Sequence, residues 1–342
     1  MNLQDALQIL VTGEPLAEAQ ATAVFDLILS GEATPAQIGS VLTALATRGE
    51  TAEEIAGAAT AMRAVSTKVE VDVPNLVDTC GTGGSGGAKR FNISTAAAFV
   101  AAAAGAHVAK HGNRGMTSKS GSADVLEAAG VQLELTPEQV GRCISEVGVG
   151  FLFAVAHHPA IRFAGPVRRE LGFRTIFNLL GPLTNPAGAK RQVIGVFSAE
   201  WMRPLAEVLR LLGAEHVLIV HSDGLDELSI HTTSYVTELK HGAIETRDIL
   251  PSDFGIRERP IDDLAANSPE ESLALVRAAL TGRNEAAADI VALNAGAAIY
   301  ASGVATSMAN GVTLAQDLIS TGLANERLKE LVDVTQAMVA SA

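Results

Sequence analysis

Five glycines, at positions 81, 83, 84, 86 and 87, lie between Asp78-Thr79-Cys80 and Lys89-Arg90-Phe91-Asn92-Ile93-Ser94-Thr95. The apolar pair Leu76-Val77 leads in as a strand, and the alanine-rich run 96–104 leads out as a helix that stops at Gly105. Glycine lets backbone amides approach an anion closely, and Ser94 and Thr95 can cap a helix whose N-terminal dipole favours negative charge. A phosphate cradle needs this arrangement. There is no Gly-Lys-Ser/Thr signature, and Gly81, Gly83 and Gly86 fit the spaced glycines of a dinucleotide site only weakly. The expected ligand is therefore a sugar phosphate or diphosphate, against the plainer reading of five glycines as a hinge.

Two further clusters suit the same chemistry. Lys110-His111-Gly112-Asn113-Arg114 follows the strand at His107-Val108 and runs into Thr117-Ser118-Lys119-Ser120-Gly121-Ser122, which in a parallel sheet places a second anion-binding loop beside the first. Asp223, Asp226 and Glu227 put three carboxylates within five positions after the strand 217–221. Mg²⁺ takes one or two carboxylates together with phosphate oxygens and water, although an acidic turn is the commoner explanation of such a cluster alone. Adjacent His157 and His158 suit packing or substrate contact better than chelation of one ion. Arg162, Arg168, Arg169 and Arg174 supply planar forks of the kind that recognise a carboxylate.

The elements that position these residues follow from periodicity. Residues 1 to about 66 read as helices, with Thr34-Pro35 ahead of Ile38, Val41, Leu42 and Leu45, and a capping box at Thr51 and Glu54. From Val73 onward strands at 76–77, 107–108, 131–135, 151–154, 193–197 and 217–221 alternate with helices at 96–104, 122–129, 137–147 and 200–212. Peripheral β structure follows over 235–250 and helix over 269–340. This pattern predicts an α/β chain: a small all-helical domain of residues 1–66, then a larger domain of residues 73–342 with a mostly parallel β-sheet flanked by helices.

Composition limits the function classes. The chain has 342 residues, 48% of them apolar, which suffices for two domains. Its net charge of −13 argues against nucleic acid as a partner. No apolar run is long enough to span a membrane and the start lacks a leader, so a cytoplasmic enzyme with no membrane contact is expected. Cys80 and Cys143 are too few for a disulfide framework and read as small core residues.

The motifs GTGG at 81–84, FNIST at 91–95, KHGNR at 110–114, SKSGSADVLEA at 118–128, HHPA at 157–160, VRRELG at 167–172, RTIFNLLGPLTNPA at 174–187 and DGLDE at 223–227 resemble the anthranilate phosphoribosyltransferases. The resemblance covers nearly the whole chain and keeps the family's order. It implies transfer of a phosphoribosyl group from phosphoribosyl pyrophosphate to the amine of anthranilate in tryptophan biosynthesis, with Mg²⁺ and release of diphosphate. Donor contacts are then implied for Gly81, Gly84, Ser85, Asn92, Ile93, Ser94, Thr95, Lys110, Ser118 and Ser122. Gly81, Asn113 and Arg168 are implied for anthranilate, and Asp226 and Glu227 for Mg²⁺, with Ser94 touching a second ion. His111 is open between substrate contact and proton acceptor. The family fold implies a helical domain used for homodimer contacts and joined in space by about residues 165–185.

This chain departs from the family at GTGGSG, where GTGGDG is usual, in a loop one residue longer before Phe91, and at Val155, where proline is usual. Lys89 and Arg90 are expected to place two positive charges beside the polyanionic donor. Two rivals share the fold. A pyrimidine nucleoside phosphorylase would not need the acids at 226–227, and a non-catalytic nucleic-acid-binding relative would present a basic groove.

Overall fold

The computed structural model describes residues 1–83, 90–115 and 120–340. Its first four helices are α1 (Leu3–Leu10), α2 (Glu18–Ser30), α3 (Pro35–Arg48) and α4 (Ala52–Ala64). Their starts obey the capping chemistry legible in the sequence. Thr34 accepts from the Gln37 amide with Pro35 in the first turn, and Thr51 accepts from the Glu54 amide at 3.3 Å. The Glu54 carboxylate is fully buried, accepts from the Leu16 amide (2.9 Å) and the Thr51 amide (2.9 Å), and pairs with Arg48. One buried acid thereby ties the α1–α2 connection to the start of α4.

Among the described residues one sheet is built from β1 (Leu76–Gly81), β2 (His107–Gly112), β3 (Val149–Phe153), β4 (Arg191–Gly195), β5 (His216–Ser222), β6 (Ser234–Lys240) and β7 (Ala243–Ile249). The order is β3-β2-β1-β4-β5-β6-β7. Pairings from β3 through β5 are parallel, and β6 and β7 add an antiparallel edge. The intervening helices are α5 (Ile93–Ala103), α6 (Ser122–Ala129), α7 (Pro137–Arg142), the single turn α8 (Ala154–His157), α9 (Gly165–Leu171), α10 (Phe177–Leu183) and α11 (Met202–Leu211). After the sheet come α12 (Pro269–Leu280), α13 (Glu285–Ser302), α14 (Met308–Ser320) and α15 (Leu323–Ala340).

Strand alternation sends side chains to opposite faces, and each face has its own core. Val77, Val108, Val193, Leu218 and Val220 pack under α5 and the bundle of α12 to α15. Ile194, Val217 and Ile219 pack with α11, with α1 to α4, and with Ala164, Val167, Phe177 and Leu180. The Phe25 and Phe177 rings meet edge to face at 5.7 Å, so α9 and α10 share the core of the first four helices.

The chain winds from β1 outward to β3 on one side and returns on the other side with β4. Between β1 and β4 the direction of winding reverses, and the carboxyl ends of the flanking strands open a crevice there.

The expected strand at 131–135 does not form. Val131 and Leu133 are buried, which produces the alternation, but the Gln132 amide donates to Thr335 Oγ1 of α15 (3.2 Å) instead of joining a ladder. Strand β3 also ends at Phe153, because Ala154 opens α8. The 137–147 helix is α7 followed by a π-turn over Cys143–Val147.

At the sheet edge opposite the crevice, Glu238 accepts from Tyr300 Oη (2.7 Å) and Arg247 Nη1 (2.5 Å) and bonds His216 Nε2 (2.8 Å). Burial acts to raise the Glu238 carboxyl, but the hydrogen bonds from His216, Arg247 and Tyr300 outweigh it and bring it down to about 2. A depressed carboxyl stabilises the fold above its ordinary range and ceases to do so as pH falls through the folded value. Glu238→Gln is therefore expected to lower the melting temperature by several degrees at pH 7, with the gap to the parent closing between about pH 4.5 and pH 2. Thermal melts across that range check it, and a gap independent of pH would assign the loss to packing.

Candidate active site at the carboxyl ends of the strands

The ends of β1, β2, β4 and β5 bring three sequence clusters together. Gly195, at the end of β4, has no room for a side chain: an added Cβ would lie 1.6 Å from the Asp226 carbonyl oxygen. The acidic turn after β5 thus rests on the β4 backbone. A Cβ at Gly81 would lie 3.0 Å from Asp226 Oδ2, so the Asp226 carboxylate sits where the glycine loop begins. The next residue, Glu227, accepts from the Ser94 amide in the first turn of α5 (3.1 Å).

Beneath the carboxylates lies Lys110, only 3% exposed, whose ammonium donates to the Thr79 carbonyl and, at 3.4 Å, to Ser94 Oγ. Burial acts to lower the Lys110 ammonium, opposed by Asp78, Cys80 and Glu227. Burial raises the Glu227 carboxyl to about 8, reinforced by the negative charge of Asp226 and opposed by Lys110 and Ser94. Two adjacent carboxyl groups at the mouth of a phosphate loop favour a proton or a cation over two bare negative charges. Among the described residues no group of three or more histidine, cysteine or acidic side chains forms a metal cage. The donor set is two hard oxygen ligands beside a hydroxyl, which fits Mg²⁺, an ion that keeps water and takes substrate oxygens, and does not fit zinc.

Asp124 gathers the described residues on either side of 116–119. Asp124 Oδ2 accepts from both the Gly115 amide (2.9 Å) and the Gly121 amide (2.8 Å), and Arg114 braces Asp124 at 3.2 Å. A Cβ on Gly121 would lie 2.4 Å from the Asn113 carbonyl oxygen, and Ser122 Oγ reaches that oxygen at 3.4 Å. Asn113 and Ser122 are therefore held side by side. Gly84, Ser85, Lys89 and Ser118 lie outside the described residues.

Other expected site residues are placed unevenly. Asn92 lies directly before α5, and the Ile93 side chain is 1% exposed in the core, which leaves only its backbone to face a ligand. Thr95 Oγ1 is buried without a hydrogen-bond partner among the described residues. Arg90 pairs with Asp262 at 3.5 Å, because the Phe91 amide donates to the Leu264 carbonyl (3.0 Å) and Arg90 bridges Ala265. Cys80 and Cys143 are both buried, and burial pushes both thiols up, as core residues require.

His111 ends in a second pocket of polar atoms. Its Nδ1 lies 3.1 Å from the Gly181 carbonyl oxygen of α10, an acceptor, so Nδ1 carries the hydrogen and Nε2 is a bare lone pair. Among the described residues that Nε2 has no hydrogen-bond partner, and the ring centre of buried His158 is 5.1 Å away. Burial, aided by His158, pushes His111 down to about 3, so it is a neutral acceptor throughout the physiological range. Arg168 approaches from α9 with its guanidinium 5.1 Å from the Phe177 ring that opens α10, and no acidic side chain among the described residues pairs with it. Arg168 and His111 thus both contact α10, at Phe177 and at Gly181.

Sequence reasoning missed the supports. Asp78 is fully buried, with Oδ1 accepting from the His111 amide (3.0 Å) and Oδ2 from Asn185 Nδ2 (2.8 Å), whose other bond goes to the Ala109 carbonyl (2.8 Å). A carboxylate inside an apolar strand was the available signal for Asp78. A groove of about 640 Å³ lined by Arg277, Lys329 and Val332 lies elsewhere, between α12 and α15, and offers no buried polar group.

Comparison with known proteins agrees with this geometry. The helical bundle domain of a glycosyl transferase family matches residues 4–66, and the a/b domain of the same family matches residues 73–325. An anthranilate phosphoribosyltransferase of Cellvibrio japonicus is 55% identical over 98% of this chain and 99% of its own length. The crystal structure of anthranilate phosphoribosyltransferase from Thermus thermophilus superposes with a TM-score of 0.92 at 46% identity, covering 97% of this chain and 99% of that one. The Saccharomyces cerevisiae enzyme, in complex with PRPP and Mg, gives 0.89 at 26% identity over 98% of both chains. From the strand-end site and from these full-length matches, the chain belongs to the anthranilate phosphoribosyltransferase family.

Proposed function

We propose that this protein transfers the 5-phosphoribosyl group of phosphoribosyl pyrophosphate to the amine of anthranilate, giving N-(5-phosphoribosyl)anthranilate and diphosphate in tryptophan biosynthesis. The observation that carries the reading is the seating of Asp226 and Glu227 against Gly81 and Ser94, where a diphosphate and a divalent cation have complementary places.

In this reaction the bond from the anomeric carbon to diphosphate breaks with its electron pair leaving on diphosphate, a carbon–nitrogen bond forms, and the proton the amine gives up passes to the departing diphosphate or to water. Gly81, Asn92, Ser94, Thr95, Lys110 and Ser122, with Gly84, Ser85, Ser118 and the Ile93 backbone, hold the donor in this reading. Asp226 and Glu227 hold Mg²⁺, with Ser94 beside them, and the ion when bound neutralises charge developing on the departing diphosphate. Gly81 and Asn113 orient anthranilate, and Arg168 holds its carboxylate. The aromatic amine is already neutral at pH 7, so positioning contributes more than a strong base. His111, with its bare Nε2, accepts a hydrogen bond and is too weakly basic to hold a proton.

The same reading makes residues 1–66, joined by about 165–185, a helical domain beside a catalytic domain of residues 73–342, with the helical part serving a homodimer in the cytoplasm. Shared packing of α9 and α10 with α2 and α3 supports the division. No described helix is long and apolar enough to cross a membrane.

Arg168→Ala is expected to raise the Michaelis constant for anthranilate about tenfold to a hundredfold, since a charge-assisted bond of about 1.5–3 kcal/mol is removed from one substrate only. The constant for phosphoribosyl pyrophosphate should change less than twofold. Equal rises for both would make Arg168 architectural. The reading as a whole is tested by offering the purified protein anthranilate with phosphoribosyl pyrophosphate, and separately a pyrimidine nucleoside with inorganic phosphate. Turnover of the second pair alone would replace the transferase by a nucleoside phosphorylase.

A further inference from the structure

We propose that Ser272, on α12 and some 180 residues from the glycine loop, fixes which end of the Asn92 amide faces the donor. It is a positioning residue for phosphoribosyl pyrophosphate. The proposal rests on the reading of Asn92 as a donor contact.

Ser272 is 0% exposed. Its Oγ accepts from the Asn92 backbone amide at 3.0 Å. A backbone N–H can only donate, so the serine hydrogen is left to find its own acceptor in a site closed to water. Asn92 Oδ1, at 2.7 Å, is that acceptor. Ser120 Oγ donates to the same oxygen from the β2 loop at 3.0 Å. With two hydroxyls on Oδ1, the carbonyl end of the amide is committed. The Nδ2 end carries two hydrogens and, among the described residues, one long contact, 3.4 Å, to the Ser120 carbonyl. A reversed amide would face Oδ1 toward a polyanion and leave the buried serine hydrogen unbonded.

The backbone supports the same conclusion. Asn92 occupies the position before α5 where an asparagine oxygen ordinarily caps the helix, yet its side chain caps nothing and its backbone (φ −74°, ψ 76°) is not the extended cap conformation. Its capping capacity is given up to Ser272 and Ser120. The α12 side of the molecule also holds the preceding residues, through the Phe91 amide to the Leu264 carbonyl (3.0 Å). Ser272 thereby couples α12 to the orientation of one donor-facing amide, and its sequence neighbourhood carries no motif that announces this.

The test is calorimetric binding of phosphoribosyl pyrophosphate with Mg²⁺ to the full chain, for the parent, Ser272→Ala, Asn92→Ala and the double variant, alongside melting temperatures and the Michaelis constant for anthranilate. Ser272→Ala is expected to weaken donor binding about tenfold, leave the anthranilate constant within about twofold, and add no loss on top of Asn92→Ala. Ser272→Thr, which keeps the hydroxyl, is expected to recover most of the binding. Unchanged binding in Ser272→Ala, independent losses that multiply in the double variant, or a rise in both substrates' constants that follows a lowered melting temperature would overturn the positioning role. Unchanged binding in Asn92→Ala would instead overturn the reading of Asn92 as a donor contact, and the proposal with it.

Discussion

Replacing Gly195 by alanine is expected to lower kcat/KM about a hundredfold or more while leaving a folded chain. The added Cβ would meet the Asp226 carbonyl oxygen at 1.6 Å and its carbon at 2.5 Å, contacts no rotamer can relieve because both partners are backbone. Strand β4 cannot yield, since it is paired on both sides, with β1 and with β5. The turn carrying Asp226 and Glu227 must therefore lift. Overpacking of this kind costs about 1–3 kcal/mol of stability, whereas a displacement of about 1 Å in a charged constellation costs roughly a hundredfold in rate. The two effects are separable: the melting temperature should fall by a few degrees and the Mg²⁺ concentration for half-maximal rate should rise steeply. Full activity at the parent's Mg²⁺ requirement would show that the turn is not held by β4.

Asp226→Asn with Glu227→Gln is expected to reduce turnover by about two to three orders of magnitude at moderate Mg²⁺, with little change in the melting temperature, because a half-buried acidic turn is altered isosterically. The pH dependence is the more specific signature. The Glu227 carboxyl is raised to about 8, so near neutrality it holds a proton that an incoming cation must displace. Apparent Mg²⁺ affinity should accordingly increase as pH rises toward 8 and level off above it, and Glu227→Gln alone should flatten that dependence. A Mg²⁺ titration in the presence of phosphoribosyl pyrophosphate at several pH values reads both. The same slope in parent and Glu227→Gln would remove Glu227 from the metal site.

The fold was legible because its signals are local. Thr34-Pro35, Thr51 with Glu54, and the change from helical to alternating periodicity at Val73 each act through neighbours within a few residues. The strand assigned to 131–135 failed because alternation reports burial of one face and says nothing of where the backbone bonds go. There they go to Thr335, two hundred residues away.

That Gly81, Ser94, Lys110, Asp226 and Glu227 come together was legible for a related reason, since each ends a strand, follows one or opens the helix after one. Their supports were not. Ser272 and Asn185 bond Asn92 and Asp78, 180 and 107 residues distant, and neither contact is announced by the residues around them. Arg90 shows the same limit: its place beside the glycine loop is plain in the sequence, but its contact with Asp262, 172 residues on, is not.

The central claim is that the strand-end site joins the phosphoribosyl group to anthranilate at the expense of diphosphate. Its most direct test is the stoichiometry of one reaction: anthranilate fluorescence lost against diphosphate released, with purified protein, phosphoribosyl pyrophosphate and Mg²⁺. One diphosphate per anthranilate consumed, with both signals vanishing when Mg²⁺ is chelated, is the result expected. Diphosphate release without loss of anthranilate, or no turnover of either, would contradict it.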